Sequence, residues 1–127
     1  MAKIDTFTAK VKDLLTEASI QTFTDHQESS ALDFPEYAEI KSEKFSITNT
    51  IRLENGLAFG ATLFCKLTVF FDAKRVQTTD LVFRAVAVIS KRYPIKVKEI
   101  RYEFGTEFNK YIVDLEIGGF GWVQFDE

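Results

Sequence analysis

A chain with one cysteine cannot close a disulfide within itself, and one cysteine with one histidine cannot make a zinc site. The carboxylates lack the Asp-x-Asp-x-Asp-Gly spacing of a calcium loop, so no metal site is expected. The only histidine, His26, sits in the polar run Asp25-His26-Gln27-Glu28. A catalytic histidine needs a positioned partner and a nucleophile within reach. Ser29 and Ser30 are near His26 in sequence alone, which does not build a triad, and His26 reads as a surface loop residue. Excess positive charge is missing too. A net charge of -3 and a pI near 5.3 argue against binding nucleic acid through its phosphates. The one basic group, Lys91, Arg92, Lys96, Lys98 and Arg101, is interrupted by Glu99 and Glu103 and reads as a solvated helix end and strand face. No apolar run approaches the ~20 residues of a membrane span. Met1 to Asp5 carries no charged region leading into a long apolar run, so the product is expected in the cytoplasm when made.

What the chain has is phenylalanine, 13 in 127 residues against one tryptophan and one methionine. Phenylalanine brings a large apolar area and no polar handle, so most of these rings must lie in a core or between subunits. The length is that of one domain, 1–127, which buries roughly two thirds of its unfolded surface. The composition, 46% hydrophobic and 28% charged, is globular. There is no internal repeat and no low-complexity tract.

The clearest pattern runs from Leu57 to Phe71. Leu57, Phe59, Ala61, Leu63, Cys65, Leu67, Val69 and Phe71 alternate with a second row that includes Thr62, Phe64, Lys66, Thr68 and Phe70. Period-two alternation of this length is a strand with one apolar face, and it makes Cys65 a buried, inert thiol. Phe64 and Phe70 fall on what should be the solvent side, which points to a partner surface.

Upstream, Ile4, Phe7, Val11, Leu14, Leu15 and Ala18 recur at helical steps, with Asp5 or Thr6 as cap. Residues 19–37 lose the pattern and read as an extended arm or a short edge strand. Lys44 to Leu53 alternates again and leads into Glu54-Asn55-Gly56. A three-residue loop would set Leu53 opposite Leu57, Ile51 opposite Phe59, Ile47 opposite Leu63 and Phe45 opposite Cys65, all on one face. That register calls for a type I turn with Gly56 left-handed.

Downstream, Thr79 or Asp80 opens Leu81 to Tyr93, which Lys91, Arg92 and Pro94 close, as suits a helix dipole. Its β-branched residues keep a strand reading open, although the length favours a helix. Only Arg84 is polar between Leu81 and Ile89, so this helix must be covered on more than one side. Ile95 to Phe104 and Lys110 to Ile117 form a second strand pair. The change of parity from Val97 to Ile100 implies a bulge near Lys98-Glu99. Gly118-Gly119-Phe120-Gly121-Trp122 lacks the Lys-Ser/Thr and the helix of a phosphate loop, and reads as a flexible turn or bulge carrying exposed aromatics. Asp114 and Glu116 are ordinary solvent-facing acids on a strand.

The result is an α+β fold, a mainly antiparallel sheet with two helices packed on it, in the order helix, arm, hairpin, helix, hairpin. The helix ending at Ala18, the approach segment Asp33-Phe34-Pro35-Glu36-Tyr37, the hairpin through Glu54-Asn55-Gly56, the helix from Thr79 to Tyr93 and the closing hairpin resemble the tail-terminator, or tail-completion, proteins of tailed bacteriophages. The resemblance implies a homo-oligomeric ring, typically a hexamer. Such a ring caps the tail tube, stops its polymerisation and meets the head connector, first in the host cytoplasm and then in the virion. It implies no enzyme, cofactor or metal.

On this reading Phe64, Phe70, Phe83, Val86, Phe120 and Trp122 are the candidate subunit interface. Two rivals stand beside it: another virion part such as a tail-tube or connector subunit, and a small module binding an apolar ligand in a pocket lined by Phe59, Phe64, Phe70, Tyr102 and Trp122.

Overall fold

The computed structural model describes residues 3–24, 36–72, 80–105 and 108–126. Residues 25–35, which hold His26 and most of the expected arm, lie outside the described residues, as does Thr79.

The first helix, α1, runs Lys3–Glu17 and buries Phe7, Val11 and Leu15 at steps of four. Thr8 also faces inward, its hydroxyl donating to the Ile4 carbonyl and meeting Ser42 Oγ. The helix stops at Ser19, whose φ is 64°. The Ile20 amide donates to the Leu15 carbonyl and the Ser19 amide to the Thr16 carbonyl, both at 3.0 Å, the double closure that satisfies the last free carbonyls.

The arm yields a short edge strand, β1 (Thr22–Phe23), parallel to the start of β2 (Glu36–Leu53). Three long antiparallel strands follow the order β2, β3 (Gly56–Phe71) and β5 (Asn109–Phe125), with β4 (Ile95–Glu103) outside β5. The sheet order is thus β1-β2-β3-β5-β4. The segment after β3 resolves as a helix, α2 (Asp80–Arg92), burying Leu81, Val82, Ala85 and Ile89.

Both helices lie on one face, over the apolar row that β3 advertises. Ala61, Leu63, Cys65, Leu67 and Val69 are all buried there, between Ile40 of β2 and Val113, Leu115 and Ile117 of β5. Phe7 keys α1 to the sheet, stacking on Phe120 at 4.6 Å and meeting Phe45 edge-on at 5.6 Å. On the opposite face, at the end where β2 begins, Tyr37 stacks on Phe70 at 4.8 Å with Phe23 and Phe108 around it.

The first hairpin departs from its expected register. Leu53 pairs with Gly56 across a two-residue turn, Glu54-Asn55, so Phe45 faces Leu63 and Ile47 faces Ala61. The expectation assumed unbroken alternation along β2, whereas the strand bulges at Glu43 and again at Thr48. Each bulge inverts the parity beyond it, which sends Ile51 and Leu53 to the face away from the helices. Gly56 is not left-handed; a side chain there would run into the Gln124 carbonyl oxygen of β5.

The bulge in β4 falls at Lys98, as the parity change implied. β5 does not end at Ile117. It passes through the glycines as a bulge, with Ile117 opposite Leu63 and Phe120 opposite Ala61, and the Gly118 amide donates to the Pro94 carbonyl at 2.8 Å. Gly119 has φ +84°, and a Cβ on it would sit 3.2 Å from Pro94 Cδ. Gly119→Ala should therefore cost about 1–2 kcal/mol. The measurement is a lower urea midpoint at unchanged slope; an unchanged midpoint would place the left-handed residue elsewhere.

Candidate functional site

The six residues proposed from sequence as an interface are not brought together. Phe120 is buried beneath Phe7, and Phe70 belongs to the small aromatic cluster on the far face. Trp122 is half-buried, stacked on Phe59 at 5.1 Å with Lys3 Nζ 5.5 Å from its ring. The expectation that the Gly118–Trp122 segment carries exposed aromatics is therefore corrected: strand pairing turns both rings toward α1. Val86 packs partly against the main core. Phe64 lies half-covered in the middle of the far face, with Lys44 Nζ 4.9 Å from its ring. Of the six, Phe83 alone is largely exposed, at 57%.

Nor do the residues expected to line an apolar pocket share one. A cleft of about 480 Å³ opens on the far face beside the bulges at Glu43 and Lys98. Phe64 is its one aromatic; Lys44, Lys66 and Lys98 stand around it with Glu43, Glu99 and Asp114. Opposite charges this interleaved cancel one another and suit neither an apolar guest nor a run of phosphates. Lys98 Nζ reaches Glu116 at 3.6 Å. Asp114 keeps Oδ1 out of water with no hydrogen-bond partner among the described residues.

The thiol of Cys65 lies under this cleft on the core side of β3. Burial, reinforced by the charge of Glu43, pushes it up to about 12, so at neutral pH it is a protonated, poor nucleophile. Among the described residues no group of three or more His, Cys, Asp and Glu side chains is placed to hold a metal ion. No helix among them is long and apolar enough to cross a membrane.

The surface that stands out is the outer edge strand. Burial on the helix side of the sheet falls abruptly from β5 to β4. Val113 and Leu115 are closed off, yet their direct neighbours Ile100 and Val97 are 41% and 39% exposed. Tyr102 continues the row and Phe104 ends it at 84% exposed. Only Ile95, at the start of this strand, packs against the main core. On its other face β4 carries Lys96, Glu99, Arg101 and Glu103. A second apolar group, Ile51, Val123 and Phe125, lies on the far face near the Glu54-Asn55 turn.

β4 and its bulge are both legible in residue order. The exposure of β4 is not legible there, because which strand lies outermost depends on sheet order, which is not written in the alternation of any one strand. No protein-family model matches the chain, and no curated protein matches it in sequence.

Proposed function

We propose that the protein is a non-enzymatic structural subunit that works as a homo-oligomer, an assembly part of the kind that tail-terminator rings and other virion subunits represent. One observation carries the reading: the apolar row Val97, Ile100 and Tyr102 on an edge strand, with Phe104 just past its end, stays exposed in the subunit. An edge strand with free backbone groups and an apolar face is a template for pairing, and native proteins blunt it or cover it. Burying a fully exposed side chain of this kind is worth about 1.5–3 kcal/mol, of which Phe104, 84% exposed, offers most and Val97, Ile100 and Tyr102, about two-fifths exposed, offer the remaining part. A neighbouring subunit collects that free energy where the monomer cannot. In the tail-terminator form the neighbours close into a ring, with tail-tube and head-connector proteins as further partners.

Sedimentation velocity across a concentration series, with imaging of the larger species, tests the proposal. The expected result is a sedimentation coefficient that rises with concentration toward a discrete closed particle. Closed rings would favour the terminator form and open tubes a tail-tube subunit, whereas a monomer at every micromolar concentration would overturn the reading.

A further inference from the structure

We infer that β4 is the contact between two copies of this chain, which pair their β4 strands antiparallel across a two-fold axis through Ile100. The inference rests on the self-association proposed above and goes beyond it by naming the surface, its register and its symmetry; such a pair closes at two copies, so a ring built from it needs a second contact elsewhere on the subunit.

The order of charges along the strand selects this register. In an antiparallel pair, directly opposed residues lie on the same face, so a permitted register sets the helix-side row against itself and the charged row against itself. With the axis at Ile100, that residue meets its own copy and Glu99 meets Arg101 of the second copy. The bulge at Lys98 makes Val97 and Glu99 oppose consecutive residues of β5. The same geometry on the free side puts Val97 opposite Tyr102 and Lys96 opposite Glu103. Ile95 then faces Phe104.

Every charged pair in this ladder is of opposite sign and every helix-side pair is apolar, twice over by symmetry, as an isologous contact requires. Glu99 already reaches its own Arg101 at 3.9 Å, so the axis joins two such pairs into a four-charge row. The two five-stranded sheets become one continuous sheet with all helices on the same side.

Other axes do worse. One through Arg101 opposes Arg101 to itself and Glu99 to Glu103. One through Tyr102 matches Arg101 with Glu103 but sets Glu99 against Gly105 and carries Lys96 and Val97 past the end of β4. An axis falling between two residues sets the charged row against the apolar one.

Two experiments on the full chain decide it. In a Cys65→Ala background, Ile100→Cys should oxidise to a covalent dimer, because opposed residues in an antiparallel pair have Cα atoms about 4.5–5.5 Å apart, within the span of a disulfide. Ile100 is exposed, so the substitution leaves the core intact. Separately, Glu99→Arg and Arg101→Glu should each abolish the dimer through like-charge pairs, and mixing the two variants should restore it as a heterodimer.

A chain that self-associates while Ile100→Cys stays uncrosslinked would overturn the two-fold register and leave the assembly reading standing. Adding Ile47→Cys to Ile100→Cys and obtaining a ladder of linked subunits would identify instead a head-to-tail contact between β4 and β2, the arrangement that closes a ring through β4. A monomer under all conditions would overturn both.

Discussion

Phe7→Ala lowers the free energy of unfolding by about 3–5 kcal/mol, the range for deleting a fully buried aromatic ring. Phe7 is 2% exposed and is the residue through which α1 grips the sheet. Its ring stacks on Phe120 at 4.6 Å, meets Phe45 at 5.6 Å and lies 6.0 Å from Trp122. Each aromatic pair contributes about 0.5–1.5 kcal/mol beyond its buried area, which places the loss toward the upper end of the range. These partners come from β2 and β5, on either side of β3, so little can collapse into the space. Trp122 is the only tryptophan, and its fluorescence reports this cluster directly. Urea unfolding followed at that signal gives the number. Phe83→Ala, removing a ring that is 57% exposed on α2, supplies the control and should change stability by no more than about 0.5 kcal/mol in a monomeric sample. Equal losses in the two variants would sink the assignment of Phe7 as the anchor of α1.

The same cluster shows how far the sequence could be read. Period-two and helical spacing are local properties, so the apolar row of β3 and the buried stripe Phe7, Val11, Leu15 were legible from residue order. So was the bulge at Lys98, where the apolar parity visibly changes between Val97 and Ile100. The bulges at Glu43 and Thr48 have fainter marks: the apolar parity changes from Ile40 to Phe45 across Lys41, Ser42, Glu43 and Lys44, and Asn49 interrupts the row beside Thr48, with no glycine at either place. The odd-numbered row of Phe45, Ile47, Ile51 and Leu53 looked like one face and is in fact two.

Phe120 illustrates a different loss. Glycines on both sides of it look like a loosened loop, but the left-handed Gly119 spends one residue on a bulge and returns Phe120 to the core opposite Ala61. The candidate interface was least legible of all. A large apolar residue on the second face of a strand, such as Phe70, can be satisfied by its own subunit's Tyr37 and Phe108. Ile100 sits in an ordinary half-buried pattern, and it stays 41% exposed because β4 lies outermost in the sheet, which its own spacing does not reveal.

Cys65→Ala should make the protein's stability less sensitive to alkaline pH. In the unfolded chain this thiol loses its proton near its ordinary value of 9.0, whereas in the folded protein burial first, and the charge of Glu43 second, hold the proton until about 12. Between those values the unfolded state binds fewer protons than the native state, so the free energy of unfolding falls as pH rises. The slope approaches 1.36 kcal/mol per pH unit, and across the whole window the loss is about 4 kcal/mol. Below pH 9 the thiol is protonated in both states and contributes no slope.

Tyr37 is also raised, by burial and then by Glu39, and weakens the fold at high pH in the same sense. Tyr37 is present in both proteins, so its contribution cancels in a comparison of wild type with Cys65→Ala. Urea midpoints from about pH 8 to about pH 11 should diverge for the two proteins as pH rises, the wild type losing stability faster. Parallel curves would mean that Cys65 ionises alike in both states, and hence that the apolar row of β3 is open to water at its centre. Glu43→Gln separates the two causes: it removes the charge at the bulge and leaves the thiol buried, so it should reduce the divergence without abolishing it.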